Sequence, residues 1–263
     1  MKSQALHRLV MLGTLSLPLL ASAQSFATVR LGPPGTESGL AGIAVVSAPR
    51  YLGSDQRRVL AAPLLDYQWR NGWFAGSVNG IGYNFSKEGT LQFGLRLTAD
   101  LGRKERRSSA LRGLGDVDGR AEFGGFLNVR PTPHLLLSSS LRAGSGDDRR
   151  GLVLDLGATQ SIALSPQLHA SLGLGLTLAN REHLRSYFGV SAAQSAASGY
   201  SAYAPDAGLR DFRASLGLSY MITPATALSL GLTAQVLQGD AEKSPVTRDR
   251  SALSGLLALS HRF

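Results

Sequence analysis

Residues 168–179 read LHASLGLGLTLA, and this stretch decides the fold. Leu168, Ala170, Leu172, Leu174, Leu176 and Leu178 share one face of an alternating chain. His169, Ser171, Gly173, Gly175, Thr177 and Ala179 share the other. A period of two is that of a β-strand whose two faces meet different surroundings. The pattern returns before and after it. Leu91, Phe93, Leu95, Leu97, Ala99 and Leu101 oppose Gln92, Gly94, Arg96, Thr98 and Asp100. Alternation of the same kind fills 211–220 and 227–236. Segments of about ten residues with one apolar and one small or polar face are the signature of a transmembrane barrel. A soluble sandwich, with the apolar face turned inward, is the alternative. Polar faces rich in Gly, Ser and Thr, with Arg96 and Arg213 in mid-strand, favour a barrel with a wet lumen.

Working outward, eleven strand candidates emerge: about 39–48, 60–69, 73–85, 90–101, 119–129, 134–143, 151–162, 168–180, 209–221, 225–239 and 251–263. Bacterial barrels have an even number of strands with both ends in the periplasm. We prefer twelve, with Ser25 to Leu31 supplying the missing one; ten is the alternative. Short turns carrying proline at Arg130–Pro133, Ser165-Pro166 and Thr223-Pro224 alternate with longer polar stretches near 102–118, 144–150, 181–208 and 240–250. Short turns on the periplasmic side and long loops outside are the barrel rule. The side of the 49–58 loop is left open by the count. The fold expected is therefore all-β, an antiparallel transmembrane barrel.

Export fits. Lys2, His7 and Arg8 precede a short apolar run, Leu9 to Leu20, and Ala21-Ser22-Ala23 is a small-x-small cleavage site. Residues 1–23 read as a secretory signal peptide and 24–263 as the barrel domain. No later segment is apolar and long enough for a helical span. Cysteine is absent, so neither disulfides nor thiolate metal sites hold the chain together. The whole chain carries 27 Lys and Arg against 18 Asp and Glu. An exported basic protein meets no nucleic acid, so lipopolysaccharide phosphates and outer-membrane lipids are the expected anionic partners. Many basic residues lie in the long loops: Arg103, Lys104, Arg106, Arg107 and Arg112, then Arg149, Arg150, Arg181, Arg185, Lys243, Arg248 and Arg250.

Several loop segments together resemble the MipA/OmpV family of MltA-interacting outer-membrane proteins. They are Pro49-Arg-Tyr51-Leu-Gly53-Ser54, Leu111-Arg-Gly113-Leu-Gly115-Asp116-Val-Asp118, Tyr187-Phe188-Gly189-Val190-Ser191, Ser198-Gly199-Tyr200, Tyr203-Ala-Pro205-Asp-Ala207-Gly208, and Leu237-Gln-Gly239-Asp240-Ala-Glu-Lys-Ser244-Pro245. Their order runs over nearly all of residues 24–263. The resemblance implies an outer-membrane barrel and a scaffold role linked to murein (peptidoglycan) metabolism, bridging a murein transglycosylase and a murein synthase. It makes these loops the candidate binding residues. The last strand places Leu253, Leu257, Leu259, His261 and Phe263 on one face. It resembles the assembly signal of outer-membrane proteins, with His261 where an aromatic is usual.

The search for chemistry points away from an enzyme. His169-Ala-Ser171 is similar to the His-x-Ser pair of lipid A deacylases, but here it faces the lumen and has no acidic residue on its strand. Asp116-Val-Asp118 lacks the further oxygen ligands of a calcium loop. No cofactor or metal site is expected. Two alternatives to the scaffold remain: a narrow pore in which Arg96, Arg142 and Arg213 favour anions, and a lipid-processing enzyme using His169 and Ser171.

Overall fold

The computed structural model describes residues 31–263. The expected signal peptide, and residues 25–30 of the expected extra strand, lie outside that range. Leu31 itself is in no strand.

Twelve strands close into one antiparallel barrel. They are β1 (Ser38–Pro49), β2 (Arg57–Gln68), β3 (Trp73–Gly76), β4 (Gly80–Asn84), β5 (Leu91–Asp100), β6 (Arg120–Thr132), β7 (Leu135–Ser145), β8 (Gly151–Ala163), β9 (Leu168–Ala179), β10 (Gly208–Met221), β11 (Thr226–Leu237) and β12 (Ser251–Arg262). Each pairs with its sequence neighbour, and β1 pairs with β12 to close the ring, Val45 opposite Leu257. Phe263 extends that seam by exchanging two hydrogen bonds with Gly39, at 2.9 and 3.0 Å.

The count of twelve is right, but its source is not. The stretch 73–85 is a short hairpin, β3 and β4, turning at Ser77–Asn79. Alternation hid the turn. Trp73 and Ala75 before it, and Ile81, Tyr83 and Phe85 after it, are all odd-numbered. Trp73 pairs with Tyr83 and Ala75 with Ile81, so the outward parity runs unbroken through the reversal.

The apolar faces look outward. Leu95, Leu97, Leu172, Leu174, Phe212, Leu230 and Leu257 are each exposed, as a wall in contact with lipid requires. Trp73, Tyr83, Phe85 and Phe93 form an edge-to-face and tilted chain of rings at the end where the short turns lie. An aromatic girdle marks a membrane interface. Both barrel ends belong in the periplasm, which places 50–56, 101–119, 146–150, 180–207 and 238–250 outside. The 49–58 loop thus joins the extracellular set. Three short helices lie in those loops: α1 (Arg181–Phe188), α2 (Ala192–Ser198) and α3 (Gly239–Lys243).

Candidate functional site

The extracellular half of the lumen carries a lattice of buried charges. Arg142, on β7, donates to Glu122 of β6 at 2.6 Å and to Asp155 of β8 at 2.9 Å. Arg213 of β10 reaches Asp155 at 3.2 Å and Asp211 at 3.1 Å. Arg210 holds the other oxygen of Asp211 at 2.7 Å, and Thr177 of β9 donates to Asp155. Arg96 of β5 donates to Ser140. All of these side chains are buried. The arginines expected to favour anions have acidic neighbours: Glu122, Asp155 and Asp211 pair with Arg142, Arg210 and Arg213, in a lattice along the lumen side of β6 to β10. Buried ions persist only when paired and hydrogen-bonded on most sides, which these are.

Above the lattice the loops fold into a lid. Asn180 caps α1 by accepting from the His183 N–H. Ser191 and Gln194 form a reciprocal capping box on α2. Phe188 and Leu184 pack with Leu237, Ala179 and Ala241 of α3 in one cluster. Tyr51, Leu111, Leu114, Val190 and Val246 form a second, which joins four different loops.

The family-motif residues are the joints of this lid. The Tyr51 hydroxyl donates to the Val246 carbonyl, and burial pushes its pKa up to about 12. Gly53 accepts from the N–H groups of Arg248 and Asp249. Ser54 closes the turn onto Gln56. Gly113 and Gly115 donate to the two carboxylate oxygens of Glu105. Gly113 has φ +81°, and a Cβ there would sit 2.7 Å from the Ala197 backbone, so only glycine lets α2 approach. Asp116 and Asp118 both hold Lys104, at 3.1 and 2.7 Å, a clamp rather than a calcium loop. Tyr187 donates to Asp100 at 2.5 Å, and burial raises its pKa. The Phe188 carbonyl accepts from Ser244, and the Asp240 carbonyl from Tyr203. Asp240 also receives the N–H of Asp206 through its carboxylate. Gly189 ends α1 and Gly239 begins α3; Pro205 is buried, Pro245 half-buried, and Gly208 exposed where β10 starts.

His183 joins lid to lattice. Arg210, which can only donate, lies 3.1 Å from Nε2. Nε2 therefore accepts, Nδ1 carries the proton, and Ser145 at 2.8 Å accepts it. Burial, then Arg210, lowers the His183 pKa well below its ordinary value. Arg103, one of the loop cations expected to meet lipopolysaccharide phosphates, is instead turned inward, only 3% exposed, and donates to the Tyr187 carbonyl.

The periplasmic half is different. A cavity of about 830 Å³ is bordered by small residues, among them Ser161, Ser171, Ser215, Gly217, Ser219 and Ser229. His169 borders it too, as its parity requires. Residues 31–37 enter this space. Leu31 packs on Phe74 and Phe126, and Gln92 and Gln68 donate to the carbonyls of Gly32 and Pro33. Among the described residues no group of three His, Cys, Asp or Glu stands ready for a metal.

Closed wall, lipid-facing leucines, aromatic girdle and long loops on one side define an outer-membrane β-barrel. The family model described as MltA-interacting protein MipA matches residues 41–263, and the chain belongs to that family. The comparison with curated proteins finds no match. Solved structures similar to it include the outer membrane channel DcaP of Acinetobacter baumannii, 8% identical over 87% of this chain and 96% of that one, TM-score 0.43. The NanC porin is 11% identical over 84% and 98%, TM-score 0.46.

Proposed function

We propose that this chain is a structural outer-membrane barrel, exported by cleavage after residue 23, that holds murein-processing enzymes at its periplasmic end and is not an open channel. The observation that carries this reading is the buried ion lattice in the outer half of the lumen, with Arg142 bonded to Glu122 and Asp155 on the strands to either side. A solute path would have to pass it and the packed loops above it. The family description supplies the partner class, a murein transglycosylase, and the resemblance extends it to a murein synthase. Murein lies in the periplasm, whereas the motif loops lie at the opposite end. We therefore assign the motif residues to holding the lid, and partner contact to the periplasmic turns, including 69–72 and 85–90. Lipopolysaccharide and outer-membrane lipids surround the wall and the loops.

The test is cross-linking of the intact protein in envelopes, followed by capture. Recovery of a transglycosylase, lost when the 85–90 turn is replaced by glycine and serine, supports the scaffold. Recovery of no murein enzyme removes it. A second reading, a narrow pore for small solutes, is favoured by the 830 Å³ cavity. Single-channel conductance in planar bilayers decides it, since a wild-type barrel that conducts steadily has a lattice that opens.

A further inference from the structure

The inner-half cavity has two unlike walls. On one side Thr159 of β8, Ser171 of β9, Ser215 of β10 and Ser229 of β11 border it with hydroxyls. On the other, Ala44 and Val46 of β1 and Ala62 and Leu64 of β2 border it with hydrocarbon. β2 lies six strands from β8 round the ring of twelve, so these walls face one another. Glycine shapes the hydroxyl wall. Gly173 pairs with Ser215, and Gly217 with Ser171. A Cβ at Gly173 would stand 2.4 Å from the Ser215 hydroxyl, and one at Gly217 2.5 Å from that of Ser171. With glycine at both positions, each hydroxyl lies over its partner strand and the space in front of the sheet stays open.

Charge is confined to the rim. Among the described residues that border the cavity, Asp66 and Arg262 alone are charged. Both stand opposite Leu40, near the periplasmic start of β1. Asp66 accepts from Asn79. His169 lies near the same end, second on β9 and paired with Ser219. Further out, Arg213 and Asp155 are bonded to each other. The cavity also reaches Pro224 and Ala225, in the turn between β10 and β11, so it is approached from the periplasm. Leu31 to Thr36 complete its wall, and Gln68 holds this strap by the carbonyls of Pro33 and Thr36, at 2.9 and 3.2 Å. The volume of about 830 Å³ falls in the range of small-molecule sites. An ion moving past the rim would shed water with no counter-charge to meet, which is costly. Hydroxyls both donate and accept, and so suit the hydroxyls of an uncharged guest. Apolar surface on the same guest gains by burial against Val46 and Leu64.

We propose that this cavity binds an uncharged amphiphilic small molecule taken from the periplasm, its hydroxylated part against β8 to β11 and its apolar part against β1 and β2. The site does not depend on a murein partner. A guest that enters and leaves at the periplasmic end needs no path through the lattice.

Saturation-transfer NMR on the whole barrel in lipid nanodiscs, with empty nanodiscs as the blank, reads binding directly. The probe is phenyl β-D-glucoside, which joins a hydroxylated ring to an apolar one. Phenyl β-D-glucuronide, of nearly the same size but carrying a carboxylate, is the charged control. The glucoside should bind above the blank and about tenfold or more tighter than the glucuronide, because the carboxylate enters a neutral space. Ser171→Leu puts a larger side chain into the cavity and should weaken glucoside binding about tenfold or more. Ala234→Leu, an enlargement on the exposed outer face of β11, should leave it unchanged. A boiling-dependent gel shift checks that each variant is folded, and Ser229→Leu decides if Ser171→Leu is not. No glucoside binding above the blank, equal binding of the glucuronide, or affinity unchanged in the folded cavity-filling variant overturns the proposal.

Discussion

The two halves of this barrel share strands but not interiors. On β8, Asp155 faces the lumen in the outer half, and Thr159 and Ser161 border the cavity in the inner half. On β10, Asp211 and Arg213 give way in the same direction to Ser215, Gly217 and Ser219. The wall-facing pattern does not change along either strand. One ladder thus carries two interiors: interlocking charges in the outer half, and small side chains where room is kept. The outer half should be intolerant of substitution and the inner half forgiving.

The sharpest way to break that comparison is Arg142→Ala. It leaves Glu122 and Asp155 buried without their shared cation and should cost about 4 kcal/mol. Thermal unfolding in detergent measures the loss, and bilayer recordings should show conductance where the wild type shows little. Unchanged stability would mean water already screens the lattice. Phe188→Ala comes next, at about 3 kcal/mol for a buried aromatic. Here the wall should survive, with the boiling-dependent shift intact, while protease cleavage within 181–207 accelerates.

A smaller effect concerns acid. The folded-state pKa of His183 lies below its unfolded value of about 6.5. Its contribution is therefore complete above about pH 6.5 and is lost as pH falls toward and through the folded value. Protonation puts a hydrogen on Nε2, against Arg210. Cleavage of the lid loops should stay flat above about pH 6.5 and rise below it, and His183→Asn should flatten the profile. A wild-type profile flat to pH 4 would rule out this coupling. The smallest effect is expected in the inner half: Ser171→Ala should stay within about 0.5 kcal/mol. Lipid profiles should not change either. A lost lipid hydrolase activity would revive the enzyme alternative for His169 and Ser171.

Much of the fold was legible because a lipid-facing wall forces strict alternation, as in 168–179. The β3–β4 hairpin was not, since its turn preserves parity and carries no glycine or proline at Ser77–Asn79. The site was harder. Arg96, Arg142 and Arg213 stood out in the sequence, but their meaning lay in Glu122, Asp155 and Asp211, partners set by register across the sheet. Arg103 misled for a related reason. A loop cation is ordinarily solvated, and only the fold of 101–119 under α1 turns this one inward. Most of the motif residues lie in contacts between loops, which a sequence pattern alone does not show.

The seam between β1 and β12 has a further consequence. Every other ladder joins strands adjacent in the chain, whereas Leu40 pairs with Arg262. Loop-closure entropy grows with the length of chain enclosed, so the largest single closure cost falls on this one contact. Hairpins can form before it; an inside cannot exist without it. Cavity, lattice and packed loops thus share one topological condition and arise together, when that single edge zips shut.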